Sequence, residues 1–416
     1  MFFCFKAPTM NTHTRNTLLA LSAMVLGISS CAPAAESRTT GWRTDGTGRY
    51  PAARPPTTWG PDQNVIWASP MSSWSNATPV IVGGRIFNCA EPTTLVCLRL
   101  SDGQLLWEKN NSYDDALGPG HDLNMPKTHG HNGYSSSTPV TDGKRIYAVF
   151  GNGVVACYDL DGNRHWIKMH EAPVEGWGHS ASPVLVDGKL ILKLKDLAAL
   201  DPASGEVLWR QTVKHSFGSP IAARVGDLDV IITPSGSLLH PDDGRELANC
   251  DIHLEYNAPI VDGDIVYFIT SKKGIAARMA ATADGNLALE NLWQTSLPGD
   301  RFYASPVYHD GLIYAITRGQ RFTVIDATDG NVVRDEKLDL SKAGGGNSVY
   351  SSPTLAGDQL YLFGLDGSAL VIDPGPTGKI VARNAIEETR SCPVFLDTRM
   401  YLRGMSKLYC IGQDER

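Results

Sequence analysis

The chain is poor in several things that would have signalled a common function class. Past its first 35 residues it has no apolar run long enough to cross a bilayer, and the run that does occur, Leu18–Ile28, is too short to read as a span. No stretch shows long helical periodicity. Positive charge is not in excess: 37 Lys and Arg face 44 Asp and Glu, a net charge of -7, so no broad basic face is available for nucleic acid. Cysteine is sparse. The eight in the sequence include no adjacent pair and no C-x-x-C, which argues against a zinc knuckle or a dithiol redox motif.

The N-terminus reads as an address rather than as structure. From Met10 a short region carrying Arg15 leads into Leu18–Ile28 and then into small residues, the pattern of a bacterial secretory signal over residues 1–35. Its end, Ile28-Ser29-Ser30-Cys31, resembles a lipobox, which would leave a lipidated Cys31 at the mature N-terminus; ordinary cleavage after Ala32-Pro33-Ala34-Ala35 is the alternative. Either way the mature protein is expected outside the cytoplasm, in the periplasm or at the outer membrane. Any membrane association would run through that anchor.

What is present is a repeat. Small or polar residues followed by Pro open each unit: Ala77-Thr78-Pro79, Ser137-Thr138-Pro139, Ala181-Ser182-Pro183, Gly218-Ser219-Pro220, Asn257-Ala258-Pro259, Ala304-Ser305-Pro306, Ser351-Ser352-Pro353 and Ser391-Cys392-Pro393. The intervals average about 45 residues, the length of a propeller blade. After the Pro comes an Asp-Gly turn, as at Asp142-Gly143, where Gly accepts positive φ. An alternating strand follows, then a third strand ending in Asp, then a Gly and a strand ending in Trp, as in Gly205-Glu206-Val207-Leu208-Trp209.

Eight such units predict an all-β fold, an eight-bladed β-propeller of four-stranded antiparallel blades over 62–416, preceded by an extension over 36–61. The eighth unit stops before its Gly…Trp strand, and Asn64-Val65-Ile66-Trp67 at the other end of the chain is the missing piece. An open blade edge is a liability, so residues 64–68 are expected to close the ring. Cys89 with Cys97, and Cys392 with Cys410, are positioned either to pair or to serve as small buried thiols.

The unit Ser-Pro…Asp-Gly…Leu-Asp…Gly…Leu-Trp resembles the pyrroloquinoline-quinone-type (PQQ-like) repeat. Gly41-Trp42-Arg43-Thr44-Asp45-Gly46 with Pro55-Pro56-Thr57-Thr58-Trp59 is similar to exported planctomycete-type members of that family. The resemblance implies a fold more than a chemistry. Quinoprotein dehydrogenases of the family carry adjacent disulfide-bonded cysteines over the quinone and calcium held by carboxylate and amide oxygens. This chain has no such cysteine pair and no matching calcium ligands, so no cofactor is expected. Its size and repeat number also resemble the lipidated propeller scaffold of outer-membrane β-barrel assembly, which implies an envelope protein as partner. A PQQ-dependent dehydrogenase or small-molecule receptor is the alternative.

Ligand-binding candidates come from the residues just before each opening Pro, taken as the inner strand with every second residue facing the axis. Three positions before Pro stand Asn76, Ser136, Ser180, Phe217, Tyr256, Tyr303, Tyr350 and Arg390; five before stand Trp74, Tyr134, Gly178, His215, Leu254, Arg301, Ser348 and Glu388. Trp74, Tyr134, His215, Tyr256, Tyr303, Tyr350 and Arg390 are the channel candidates. They suit a small planar or sugar-like ligand or a peptide loop, or they simply fill the channel and bond its waters. An insertion at 110–133 offers His129 and His131 as weak metal candidates, with His121, Asp122 or His179 as a third ligand.

Overall fold

The computed structural model describes Met1 and residues 39–413 apart from 173–175, 298 and 342–347. The expected signal over 1–35, Cys31 included, lies outside the described residues except for Met1. The described chain forms an eight-bladed β-propeller, with seven four-stranded sheets and one of five. Blade 1 is typical. Its strands Val80–Val82, Arg85–Ala90, Thr94–Arg99 and Leu105–Asn110 are paired antiparallel in chain order. The second and third strands are almost wholly buried because neighbouring blades cover both faces, which is why they read as continuous apolar runs. The outermost strand alternates between half-buried and exposed.

Ring closure occurs as the repeat predicts. Val65–Pro70 pairs antiparallel with Lys407–Ile411, Trp67 opposite Cys410, and so completes blade 8 from the far end of the chain. No blade edge is left open at the seam.

Two parts of the repeat prove to be joints between blades. In six of the eight blades the residue before Pro donates its backbone N–H to the corresponding side chain of the next blade: Thr78 to Thr138 Oγ1 at 2.9 Å, Thr138 to Ser182 Oγ at 3.0 Å, Ser182 to Ser219 Oγ at 2.9 Å. The series resumes from Ala258 to Ser305 Oγ, Ser305 to Ser352 Oγ and Ser352 to Cys392 Sγ. One of its two breaks falls at Ala258, which has no acceptor to offer; the other is at the seam, between Cys392 and Thr78. The second joint couples the repeat's Gly and Trp. Gly205 has φ +73, and a Cβ there would lie 2.7 Å from the ring of Trp166 in the preceding blade. Trp166 Nε1 also donates to Pro202 O at 3.0 Å. Trp67, Trp107, Trp209 and Trp293 seat on Gly103, Gly162, Gly244 and Gly330 in the same way.

Three blades depart from the Trp joint. Arg334 replaces it in blade 6 and donates to Gly378 O at 2.9 Å. Ala248 and Ala382 stand at the Trp register in blades 4 and 7. At blade 7 an indole arrives from elsewhere. Buried Trp59 stacks 6.0 Å from Tyr361, much as Trp107 lies 5.7 Å from Phe87 at the equivalent position of blade 1.

Trp59 belongs to the stretch expected as an extension ahead of the propeller, which the structure places around one end of the channel. Thr39 N–H donates to Ile81 O in blade 1, and Thr40 O accepts from Thr141 N in blade 2. Buried Arg43 donates from Nη2 to Pro306 O and Pro353 O of blades 6 and 7 at 2.9 and 3.0 Å. Arg49 pairs with Asp262 of blade 5 at 2.8 Å. Arg49–Tyr50 is a parallel fifth strand on blade 7, and Arg54 N–H donates to Asp397 O of blade 8. All these contacts lie toward the end of the inner strands that follows the opening Pro. This strap closes that mouth.

The cysteine question resolves toward thiols. Cys89, Cys97, Cys157, Cys250, Cys392 and Cys410 are all free, and all but Cys250 are buried. The insertion holds a feature that the sequence reading missed, a short helix Tyr113–Leu117 capped by Ser112, whose side chain accepts from Asp115 N–H while Asp115 accepts from Ser112 N–H. Ser112-x-x-Asp115 was its signal, a variant of the S/T-x-x-E capping box. No helix among the described residues is long and apolar enough to cross a membrane.

Candidate functional site: the open mouth of the channel

The inner strands begin one residue after each opening Pro, so the candidate positions sit on the loops entering each blade rather than on strands. Three residues before Pro the expectation of a channel-facing position is met all the way round: Asn76, Ser136, Ser180, Phe217, Tyr256, Tyr303, Tyr350 and Arg390 all line the channel, above a second ring formed by the residues just before Pro. Five residues before Pro it is met only at His215 and Arg301, which line the mouth. Two residues farther from the strand, backbone alternation no longer dictates direction.

Channel candidates His215, Tyr256, Tyr303 and Tyr350 meet in a funnel of about 820 Å³ at the unsealed end, with Arg390 just beneath. Trp74 and Tyr134 are turned aside. Trp74 lies under the Arg390 guanidinium, 5.7 Å from it, and Tyr134 donates its hydroxyl to Pro126 O and its N–H to Glu91. Burial holds the Glu91 carboxyl above its ordinary range, while bonds from Ser135 and Tyr134 pull it back. Arg390 is itself partly structural: Nη1 donates to His131 O at 3.0 Å and Nη2 meets Glu388 at 3.0 Å.

The insertion roofs one side of the funnel. Asn76 Nδ2 donates to His131 O at 2.8 Å, and Thr128 Oγ1 and Asn132 Nδ2 both donate to Trp177 O. His129 and His131 therefore reach the funnel, but as stacked rings 5.3 Å apart rather than as converging ligands. His121 instead pairs with Asp114 at 3.2 Å. Among the described residues, no group of three or more His, Cys, Asp or Glu is placed to hold a metal ion.

Aromatic rings follow one another around the funnel without a break. From Trp177 the succession runs to His129 (4.0 Å between centroids), His131 (5.3 Å), Tyr350 (6.4 Å), Tyr303 (5.2 Å), Tyr256 (4.8 Å), Phe217 (5.9 Å) and His215 (5.0 Å). Arg301, over Tyr256 at 6.0 Å, and Arg318 add cationic groups at the rim; Glu255 is the acid that lines it. Trp177, His253 and Arg318 were not among the residues named from sequence. The first two stand six positions before Pro, outside the alternation, and Arg318 comes from the turn between the second and third strands of blade 6. Beneath the rim, burial pulls the His179 imidazole down to about 4, with the neighbouring Lys193 adding to the effect. Lys193, also buried, donates to Ser216 O at 2.7 Å and is brought down to about 8 by burial.

A second cavity, about 490 Å³, lies at the sealed end between the strap and blades 2 to 4. Its walls include Trp42, Val140, Leu185 and Ile221, with Asp45, Asp142, Arg145 and Asp187 among the polar groups. The funnel is the better site, because a run of aromatic rings lines it together with guanidinium and amide groups, where the second cavity has the single indole of Trp42.

The comparisons agree with the fold and restrict what can be carried over. The family model described as outer membrane protein assembly factor BamB matches residues 34–289 and 290–394. The Escherichia coli protein of that name is 26% identical over 140 residues, 29% of this chain and 35% of the relative, so the match spans about a third of that protein's length. The Salmonella typhimurium protein is 22% identical over 318 residues, 74% of each chain. Among solved structures, BamB from Moraxella catarrhalis superposes with a TM-score of 0.62 at 12% identity, covering 85% of this chain and 98% of that one. A europium-containing methanol dehydrogenase superposes equally well, at 0.62 and 11% identity over 90% of this chain and 98% of that one, so shape alone does not separate an assembly factor from a dehydrogenase. The matched repeats span most of the sequence, and the chain belongs to the family described as outer membrane protein assembly factor BamB.

Proposed function

We propose that this protein is a non-enzymatic binding or scaffold propeller of the cell envelope, and that its binding site is the open funnel. The observation that carries this reading is the asymmetry of the channel: its own strap closes one mouth, while the other is ringed by aromatic side chains and guanidinium groups. The relatives' name, outer membrane protein assembly factor, points to a partner in the envelope.

The N-terminal signal supports export, and a lipid on Cys31 would anchor the protein at a membrane.

The reading without a quinone is supported by the sequence, which has no adjacent cysteine pair to cover one, and by the described cysteines, which are free thiols. Reconstitution with PQQ and calcium is expected to give no dye reduction above a blank with simple alcohols or aldoses; turnover that depends on the quinone would restore the dehydrogenase reading.

The funnel is tested directly by placing a photo-crosslinking residue at Trp177 and, as a control, at exposed Leu208 on a blade flank. Adducts in intact cells are expected from position 177 and not from 208. The opposite pattern would move the site to the flanks.

A further inference from the structure

We infer that the funnel takes the end of an acidic saccharide chain. The inference rests on the funnel being the binding site and adds the chemistry of the ligand.

Three features of the site select this class. First, consecutive rings from Trp177 to His215 are only 4.0–6.4 Å apart. A flat heterocycle sandwiched between two parallel rings needs them about 7 Å apart, twice a normal contact distance. Neighbouring rings therefore leave no slot for such a cofactor, and what they offer is a wall of faces and edges. Sugar rings suit such a wall, because their C–H faces pack on aromatic faces while their hydroxyls turn to Tyr303, Tyr350, Asn76 and Asn132.

Second, the rim is cationic. Arg301 and Arg318 are exposed at the funnel, where their guanidinium groups can meet a planar carboxylate. Glu255 lines the funnel with them, while the nearby Asp300 carboxylate accepts from the backbone N–H groups of Arg301 and Gly319. Trp177, 47% exposed and stacked on His129, stands at the entrance as an uncovered indole.

Third, the channel is blind. The ring of residues just before each Pro lies beneath the aromatic wall, and Trp42 of the strap stands under it. A ligand can enter only from the open mouth, so a chain end goes in while the middle of a chain does not. A funnel of about 820 Å³ is toward the large end of the roughly 300–1,000 Å³ typical of small-ligand sites, room for a few sugar units rather than one.

The test titrates the mature protein with oligogalacturonates of two to six units and with neutral cello-oligosaccharides of the same lengths, following heat and tryptophan fluorescence. The acidic oligomers are expected to bind at least tenfold more tightly than the neutral ones, with affinity per chain reaching a plateau after the first few units. Trp177→Ala should weaken both series about tenfold. Arg301→Gln with Arg318→Gln should remove the preference for the acidic series. Melting curves establish that each variant is folded. Binding of neither series at millimolar concentration, equal affinity for both, or affinity that keeps rising with chain length would each overturn the inference. If crosslinks from position 177 persist while neither saccharide binds, the saccharide is rejected and the funnel remains the site.

Discussion

At one end of the inner strands the chain closes the channel with its own residues 39–59, by backbone hydrogen bonds to blades 1, 2, 7 and 8 and a buried Arg43 that joins blades 6 and 7. At the other end the same eight strands are entered by loops whose side chains change from blade to blade and stay half-buried or exposed. The first end is held by groups that are costly to leave unpaired. The second carries groups whose removal leaves water able to take their place. Stability should therefore be concentrated at the sealed end and recognition at the open one.

The harshest way to break the comparison is to delete the chain through Ser69. This removes the strap and the outer strand of blade 8 together, opening a blade edge and uncovering Tyr361, Phe363 and Phe395. A loss of about 5 kcal/mol or more is expected, comparable with the whole stability of many domains, and is read as failure to fold or as a self-associating product in sedimentation. A monomeric 70–416 fragment melting at the full-length temperature would show that the strap is ornamental.

A single indole comes next. Trp59 is 3% exposed and fills blade 7 where the repeat supplies Ala382. Trp59→Ala should cost about 3–5 kcal/mol, the usual penalty for emptying a large aromatic site. Denaturant unfolding checks it, and a loss below about 1 kcal/mol would mean that the neighbours collapse into the gap.

This residue also marks where sequence reasoning stops. The blades, their number and the closing strand were legible because each is stated many times or, for Val65–Trp67, left as a gap that one segment fits. The ring of channel residues three before Pro was legible for the same reason. Nothing in Pro55–Trp59 announces that its indole replaces one missing from a blade more than 300 residues away, because a joint made once leaves no period to detect. Trp74 and Tyr134 show the converse limit: alternation predicts direction within a strand, and five residues before Pro the chain is a loop.

Between the two ends lies the buried layer beneath the funnel, and acid should find it. His179 is 5% exposed and its imidazole is held down to about 4 from the ordinary 6.5, by burial first and by Lys193 second. The unfolded chain therefore takes up a proton at a pH where the folded one does not, so stability falls as pH drops from about 6.5 toward 4 and levels off below. His179→Gln should remove part of that acid limb, about 2 kcal/mol measured as the difference in unfolding free energy between pH 7 and pH 4.5. An unchanged acid limb would place the pH sensitivity elsewhere, with His170, also held down to about 4 by burial, the next to replace.

The smallest expected effect on stability is at the open rim, and there the comparison is most exposed to refutation. Trp177 is 47% exposed, its main ring partner is His129, and the bonds that hold its segment run through its backbone carbonyl rather than its indole. Truncating the side chain removes no buried group and leaves those bonds in place. Trp177→Ala should therefore change unfolding free energy by less than about 0.5 kcal/mol, as surface substitutions do. Arg301→Gln should be nearly as silent, since the guanidinium is exposed and its partners, the Tyr303 hydroxyl, the Tyr256 ring at 6.0 Å and Glu255, stand with it at the open rim. Arg390 is the control that should behave otherwise: it is 8% exposed in its side chain and ties the insertion to blade 8 through His131 O, so Arg390→Ala should cost stability as well as binding. If Trp177→Ala instead costs as much as Trp59→Ala, the rim aromatics are packing residues and the two ends of the channel do not differ in kind.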